Sequence, residues 1–381
     1  MDHAETDLNP RYERGTLQEV YEMIGKDIEA GIPLIDDTAY SVPKYHFNYK
    51  AACCFASRYY LFMQDWDNAI KYATMALTSN PSSLLRDYSA IAALPNGTSR
   101  HQEYVNSAST ANFLLQAATS NSGLLFDWYS TAGRYSHGKL QGIYETVQPK
   151  KGGPWGSSVT FKAPHAVLAS SGKYVLPRTW RVFQYTDPVA GTGFNKAISV
   201  LFTSEEALLN RAEAYIMKMN EDPTALDKAL EDINLYAANL FSAGFKSMTE
   251  ASIIKWATET YPDYSELYVG KTSVSSPQTL NPKKKLHAAP YNTLEEGGPQ
   301  ESMLQALIFM RRYQFLHEGM RWFDTRRFGI TVYRYLLDED AETVVQITDQ
   351  ISDENGTADP RRALQLPADV IAAGLTPNPR K

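Results

Sequence analysis

The sequence predicts a mainly α fold, an array of tetratricopeptide-like helical hairpins with long irregular loops and a few short strands. Three observations predict it. Residues 50–83 follow the 34-residue helix–turn–helix pattern of a tetratricopeptide unit. A second pair of helical patterns, with a longer turn, covers residues 205–239. Between them, residues 128–200 are rich in Gly, Ser, Tyr and Trp and show little helical periodicity, which indicates long functional loops.

The first helices are predicted from apolar spacing and from small residues. Residues 13–31 carry apolar side chains at helical spacing, and Gly31 is expected to end that helix. In the hairpin that follows, Ser57, Ala69 and Ala76 occupy positions where the two helices touch. Antiparallel helices that pack at about 8–10 Å need small side chains at such crossing points.

The region after the first hairpin is predicted to be mostly non-helical. Residues 80–105 are rich in turn residues, and 111–127 are interpreted as two short strands. We expect three parts of one compact unit. These are a helical scaffold at 1–84, an irregular ligand-facing region at 85–200, and a second helical region at 201–381.

Helical patterns return in the last part of the chain. They cover residues 205–218, 225–239, 301–318 and 320–337, and a long loop is predicted at 262–300. The loop is rich in Pro, Gly, Lys and Ser, which do not favour regular structure.

Composition excludes some classes of protein. The 381 residues have a formal net charge of −6, which argues against a nucleic-acid or anionic-membrane partner. Cys53 and Cys54 are adjacent in a helical pattern, so a disulfide between them would be strained, and both are interpreted as buried thiols. There is no apolar run long enough to span a membrane, no signal peptide, and no cysteine near the start that could carry a lipid.

Residues 311–329 are the most informative stretch, with five arginines, two acids and five aromatic residues in 19 positions. Buried guanidinium groups need carboxylates or carbonyls for their donors, and Glu318 and Asp324 are the local acids. The stretch is interpreted as a structural network of ion pairs, with an anion site as the less favoured alternative. The residues assigned this structural role are Arg311, Arg312, Glu318, Arg321, Trp322, Asp324, Arg326 and Arg327.

This stretch closely resembles the R-R-x-E-L-x-F-E-G-x-R-W-F-D-L-R-R-x-G signature of the SusD/RagB family. Residues 211–234 and 361–379 resemble two further motifs of that family. Met310 and Gln314 stand where the family usually has Glu, which is expected to rearrange the partners of Arg311 and Arg312.

The resemblance implies a SusD-like fold and a role in nutrient uptake in Bacteroidetes. It implies non-catalytic binding of a glycan or oligosaccharide at the cell outer membrane, and delivery to a SusC-like TonB-dependent transporter. It also implies a surface-exposed, lipid-anchored full-length form. The lipid anchor is absent from this chain, which is expected to lack an amino-terminal portion that family members usually carry. No cofactor is implied.

Motifs for catalysis or metal binding are weak. Residues 133–140 come close to a phosphate-binding loop, but Leu140 stands where a hydroxyl is needed for Mg²⁺. Adjacent acids such as Glu205 and Glu206 do not establish the facing carboxylates of a glycosidase. The seven histidines show no zinc-ligand spacing, and no serine has the context of a nucleophile. The sequence therefore does not predict an enzyme.

Binding is favoured by aromatic residues in or beside the irregular middle region. Their flat faces can stack on sugar rings while neighbouring polar groups take the hydroxyls. Chosen on local chemistry alone, the candidate ligand-binding residues are Trp128, Tyr129, Tyr135, Trp155, Trp180 and Tyr185. Any of them could instead pack loops onto the helices. The alternative function is a tetratricopeptide scaffold that binds a protein or peptide in its groove.

Overall fold

The computed structural model describes most of the chain in detail. The described residues are 6, 15–126, 140, 145–146, 153–156, 159–162, 166–168, 173–175, 178–180, 182–264, 281–339, 343–353 and 357–380.

The described residues form helices and short strands. The helices are α1 (Leu17–Gly31), α2 (Tyr49–Phe62), α3 (Trp66–Leu77), α4 (Tyr88–Ala93), α5 (Gly97–Tyr104), α6 (Ser122–Phe126), α7 (Ser204–Lys218), α8 (Ala225–Leu240), α9 (Glu250–Lys255), α10 (Pro299–Gln314), α11 (Met320–Phe328) and α12 (Ala368–Ala372). The strands are β1 (Asn112–Thr119), β2 (Ala166–Leu168), β3 (Lys173–Val175), β4 (Val182–Asp187), β5 (Thr192–Thr203), β6 (Val332–Leu337) and β7 (Val344–Ile351).

The strands make three small antiparallel sheets. One has the order β1-β5-β4, and the other two are the pairs β2-β3 and β6-β7. In the first, Ala118 lies opposite Ala197, and Tyr185 of β4 lies opposite Gly193 of β5. Helices dominate this structure, so the predicted mainly α fold with a few short strands is confirmed.

Both predicted hairpins form, for the reasons the sequence suggested. Asp65 caps the start of α3 by accepting a hydrogen bond from the backbone N–H of Asn68 at 3.1 Å. Ala69 and Ala76 are fully buried, which lets α3 pack closely on α2 and α7. Thr203 caps α7 by accepting from the backbone N–H of Glu206.

One hydrophobic core joins these hairpins to α10. Every residue of α10 from Glu301 to Arg311 is buried, so this helix is surrounded by protein rather than lying on the surface. It packs on α7 and α9. The polar side chains of α10, including Gln305 and Arg311, must therefore find partners inside the protein.

The structure corrects three predicted segments. Residues 80–105 contain the short helices α4 and α5, whose first turns are capped by Asp87 and Asn96. Residues 111–127 contain one strand and the short helix α6 rather than two strands. The helix predicted at 320–337 stops at Phe328.

Gly329 is the physical reason for that stop. It has a φ of 68°, in the left-handed region that ends many helices. A Cβ there would also lie 2.5 Å from the backbone nitrogen of Ala288. The β-branched and aromatic residues that follow, Val332, Tyr333 and Tyr335, pair with β7 as the strand β6.

Two further predictions can be compared with the structure, one about the state of Cys53 and Cys54 and one about membrane-spanning helices. Both cysteines are buried free thiols, as predicted. Within the described ranges, no helix combines the length and the apolar character needed to cross a membrane.

Candidate functional site

The inner face of the α10–α11 hairpin is a buried network of ion pairs. Arg311 donates from Nε and Nη2 to the carboxylate of Asp324, at 2.9–3.1 Å, and from Nη1 to Asn210 at 2.8 Å. Arg327 donates to both oxygens of Glu213, with the Nη2 contact at 2.8 Å, and to the hydroxyl of Tyr291.

The network shifts the pKa of its shared acid. Burial alone would raise the pKa of Asp324, but the guanidinium groups of Arg311 and Arg327 outweigh it and the pKa is lowered. Both cations thus keep a charged partner in a dry environment. Such an arrangement is what a structural role requires, because removing one partner would leave an uncompensated buried charge.

Arg312 faces away from this network, and its partner is a residue far away in sequence. Its two terminal nitrogens donate to the two oxygens of Glu145 at 2.9 Å, and Lys284 lies 2.7 Å from the same carboxylate. Burial opposes ionisation of Glu145, but the Arg312 and Lys284 cations prevail and lower its pKa to about 2.

Glu318 does not pair within the signature, contrary to prediction. It accepts a short hydrogen bond from the Tyr104 hydroxyl and lies 3.8 Å from Nη1 of Arg178. Burial raises the pKa of Glu318, and Arg178 opposes that shift. The glycine-containing turn points this acid toward a cation from an irregular segment, which local sequence could not reveal.

Gln314, the departure from the family pattern, also faces away from Arg311 and Arg312. Its Oε1 accepts hydrogen bonds from the hydroxyls of Tyr88 at 3.2 Å and Tyr236 at 3.0 Å. The expected rearrangement around the arginine pair therefore does not come from this position. An amide oxygen satisfies two neutral donors here without a buried charge.

Among the described residues, two arginines of the signature have no ion-pair partner, Arg321 and Arg326. Arg326 is exposed, so the prediction that it belongs to the structural network is wrong. Arg321 differs from it in burial. Its Nη1 atom is buried, and within the described part of the chain it has no hydrogen-bond partner. Burial and the nearby Arg312 cation lower the pKa of Arg321 to about 10. The two acids nearest to Arg321 in sequence already have partners, since Asp324 is bonded to Arg311 and Glu318 to the Tyr104 hydroxyl.

A cavity of about 600 Å³ opens beside Arg321. We call it the signature pocket. It lies between the α10–α11 turn and strand β6, and the side chains that line it include Glu145, Lys284, Arg312, Phe315, His317, Glu318, Arg321, Trp322, Thr331, Tyr333 and Tyr335. Its volume is within the range of roughly 300–1,000 Å³ that is usual for small-ligand sites. The pocket combines aromatic faces with a few charged groups, which is the composition of a polar-ligand site.

Of the predicted aromatic candidates, the three that the structure describes do not line the signature pocket. Trp128, Tyr129 and Tyr135 lie outside the described residues.

Trp155 is fully buried. Its ring stacks on those of Phe241 and Phe309, with distances between ring centroids of 5.1 Å and 5.0 Å. Both faces of its ring are covered, so the prediction that Trp155 is a ligand platform is wrong.

Trp180 and Tyr185 have different surroundings. Trp180 is half-buried, lies over Gly97 and donates from Nε1 to the Thr98 hydroxyl at 3.2 Å, so it packs a loop onto α5. Tyr185 is 59% exposed on β4, edge-on to Phe183. Of the candidates that the structure describes, Tyr185 has the most accessible ring.

Sequence reasoning missed most of the signature pocket. The sequence predicts a helix over residues 320–337, which include Tyr333 and Tyr335, and a loop over 262–300, where it gives Lys284 no role. Tyr333 and Tyr335 are two positions apart in Val332–Leu337, which is the period-two spacing of a strand. That spacing could have indicated that the two tyrosines share a face of the sheet. Among the described residues, no group of three His, Cys, Asp or Glu side chains could hold a metal ion.

Comparison with known proteins agrees with this architecture. Residues 1–61 match the family model SusD-like_3, described as starch-binding associating with outer membrane. No curated protein matches the sequence.

Solved structures of SusD-superfamily proteins resemble the whole chain. One from Bacteroides vulgatus has a TM-score of 0.51 and 16% sequence identity, and the matched region covers 96% of this chain and 66% of the Bacteroides vulgatus chain. A SusD-like protein from Bacteroides fragilis has a TM-score of 0.50, 14% identity and coverages of 98% and 73%. A second Bacteroides vulgatus protein, named provisionally as sugar-binding, has a TM-score of 0.52, 17% identity and coverages of 96% and 66%.

In class, this is a mainly α protein with the SusD-superfamily fold. The family match at the amino-terminal end and the shared fold together confirm the SusD/RagB family resemblance predicted from the signature.

Proposed function

We propose that this chain is a non-catalytic binding protein that captures oligosaccharides at the outer-membrane surface and delivers them to a SusC-like TonB-dependent transporter. In this proposal its full-length form is anchored by a lipid. The fold and the starch-binding description of the matching family support the ligand class. The transporter and the anchor follow from the family resemblance.

The observation that carries the proposal is the aromatic lining of the signature pocket. Trp322 contributes from α11, whose Phe328 is fully buried in the core, and Tyr333 and Tyr335 contribute from β6, which pairs with β7. Flat rings can stack on the C–H face of a pyranose, and phenolic hydroxyls can hydrogen-bond its edge. A rigid site loses less free energy to ordering when the ligand binds.

Tyr185 is proposed as a second contact, because its ring is exposed on the β4–β5 hairpin. Trp128, Tyr129 and Tyr135 stay predictions. Long glycans commonly need more than one surface, and two weak sites on one chain gain affinity through effective concentration.

Isothermal titration calorimetry against a panel of neutral and acidic oligosaccharides tests the proposal. Trp322→Ala should weaken glycan binding by about 1.5 kcal/mol or more, because stacking and buried apolar area are both lost. Phe323→Ala is the matched control, since Phe323 is the next residue on α11, is 46% exposed and does not line the pocket.

Three results would count against the proposal. Binding of no glycan would remove its basis, and binding of a peptide instead would favour the tetratricopeptide alternative. Chromatographic detection of cleaved glycan would contradict the non-catalytic role.

A further inference from the structure

The signature pocket contains more positive charge than its acids neutralise. Lys284, Arg312 and Arg321 line it together with two acids, Glu145 and Glu318. The carboxylate of Glu145 is bonded to two of those cations, at 2.7 Å from Lys284 and 2.9 Å from Arg312.

Glu318 does not supply the missing partner for Arg321. Its carboxylate accepts from the Tyr104 hydroxyl and is paired with Arg178, a cation that does not line this pocket. Its pairing therefore leaves the charge of the pocket unbalanced.

Asp324 does not supply it either. Its two oxygens accept from Arg311 at 2.9–3.1 Å, and Arg327 lies 3.5 Å away. Within the described residues, Nη1 of Arg321 is buried without a hydrogen-bond partner. A buried donor without a partner is costly. The Arg321 side chain as a whole is only partly buried and lines the pocket, so its accessible part can bind an anionic group from a ligand.

We propose that the signature pocket binds a sugar that carries a carboxylate, a uronic-acid residue of an acidic oligosaccharide, with Arg321 as the specificity-determining residue. This inference rests on the proposed function and names its ligand class. The planar guanidinium matches a carboxylate through two parallel hydrogen bonds. Trp322, Tyr333 and Tyr335 provide the adjacent faces for the sugar ring.

The charged side chains that line the pocket favour a ligand group with one negative charge over a group with two. Two cations share Glu145, which leaves one guanidinium for the ligand. A dianion such as phosphate would bring a second charge close to the Glu145 carboxylate without a cation to balance it. Burial and Arg312 lower the pKa of Arg321 to about 10, so the group is still a cation at neutral pH, and a bound carboxylate would stabilise that charge.

Calorimetry on the full chain with matched ligands tests this proposal. The probes are oligogalacturonides and the same oligosaccharides after chemical reduction of their carboxyl groups to alcohols. The protein should bind the acidic form at least about 10-fold more tightly, because each pair of charge-assisted hydrogen bonds contributes that much or more. The preference should decrease as salt concentration rises.

Arg321→Gln should reduce affinity for the acidic form about 10- to 100-fold and leave affinity for the reduced form unchanged. Arg326→Gln is the matched control, because it removes the same charge from the same helix at an exposed position outside the pocket. The comparison of the two ligands on the wild-type chain needs no variant, so it stands even where a variant fails to fold.

Other outcomes distinguish a failure of carboxylate recognition from a failure of glycan binding. Equal affinity for acidic and reduced forms would overturn the inference and leave glycan binding intact. Equal losses in both arginine variants would overturn it too, since surface charge alone would then explain the preference. Binding of inorganic phosphate or of sulfated oligosaccharides as tightly as oligogalacturonide would contradict the assignment to a carboxylate.

Discussion

The two faces of the α10–α11 hairpin use the same residue types in opposite ways. On the inner face, Arg311 and Arg327 are matched by Asp324 and Glu213, and every contact is buried. On the pocket face, Arg321 has no such partner within the described chain. One arginine-rich motif therefore supplies buried ion pairs to the core on one side and, on the other side, carries a guanidinium without such a partner.

The largest expected effect is on the inner face. Asp324→Ala should destabilise the protein by about 3–5 kcal/mol, because two buried guanidinium groups lose their shared carboxylate. Urea unfolding measured by circular dichroism checks this. Asp349→Ala is the control, since its pair with Arg361 is exposed and should change stability little. Equal effects in the two variants would show that the inner network is not structural.

A smaller effect is expected from Glu145, which links the pocket face to Lys284 and Arg312. Its pKa is lowered from 4.5 to about 2, so the folded form holds the charge more strongly than the unfolded chain does. This stabilisation is complete above about pH 4.5 and is lost as the pH falls toward 2.

Unfolding measured from pH 6 to pH 2 checks that prediction. The wild type should lose stability across this window more steeply than Glu145→Gln, which has no charge to lose at this position. The difference between the two curves isolates Glu145 from other acids such as Asp324, whose pKa is also lowered. Parallel curves would mean that the Glu145 ion pairs do not form in solution.

The smallest effect on stability is expected for Arg321. Arg321→Gln should change the free energy of unfolding by no more than about 1 kcal/mol, because no buried partner is left uncompensated. Arg311→Gln, the matched variant on the inner face, should cost about 3 kcal/mol or more. A large loss in Arg321→Gln would place Arg321 in the structural network and remove the contrast between the faces.

Much of the fold could be predicted because it depends on local patterns. Apolar spacing predicted α1 and its end at Gly31, and small residues predicted the α2–α3 hairpin. The error at 320–337 arose because a short apolar run does not distinguish helix from strand. There the backbone conformation of Gly329 and pairing with β7 decided the outcome.

The site was harder to predict because its residues meet across long separations. The aromatic residues of the middle region were reasonable candidates, yet Trp155 became core through stacking on Phe309, 154 positions away. Composition shows that aromatic side chains are present. It does not show which of them will have a free face after the helices pack.

The helical hairpins, the dense arginine cluster and the resemblance to the SusD/RagB family could be recognised from the sequence, since each depends on residues that are neighbours along the chain. Only the tertiary structure decided which arginines are paired. Glu145 is 167 positions from Arg312, and Glu213 is 114 from Arg327. An ion pair depends on distance in space, so the partner of a charge is settled only when the chain has folded around it.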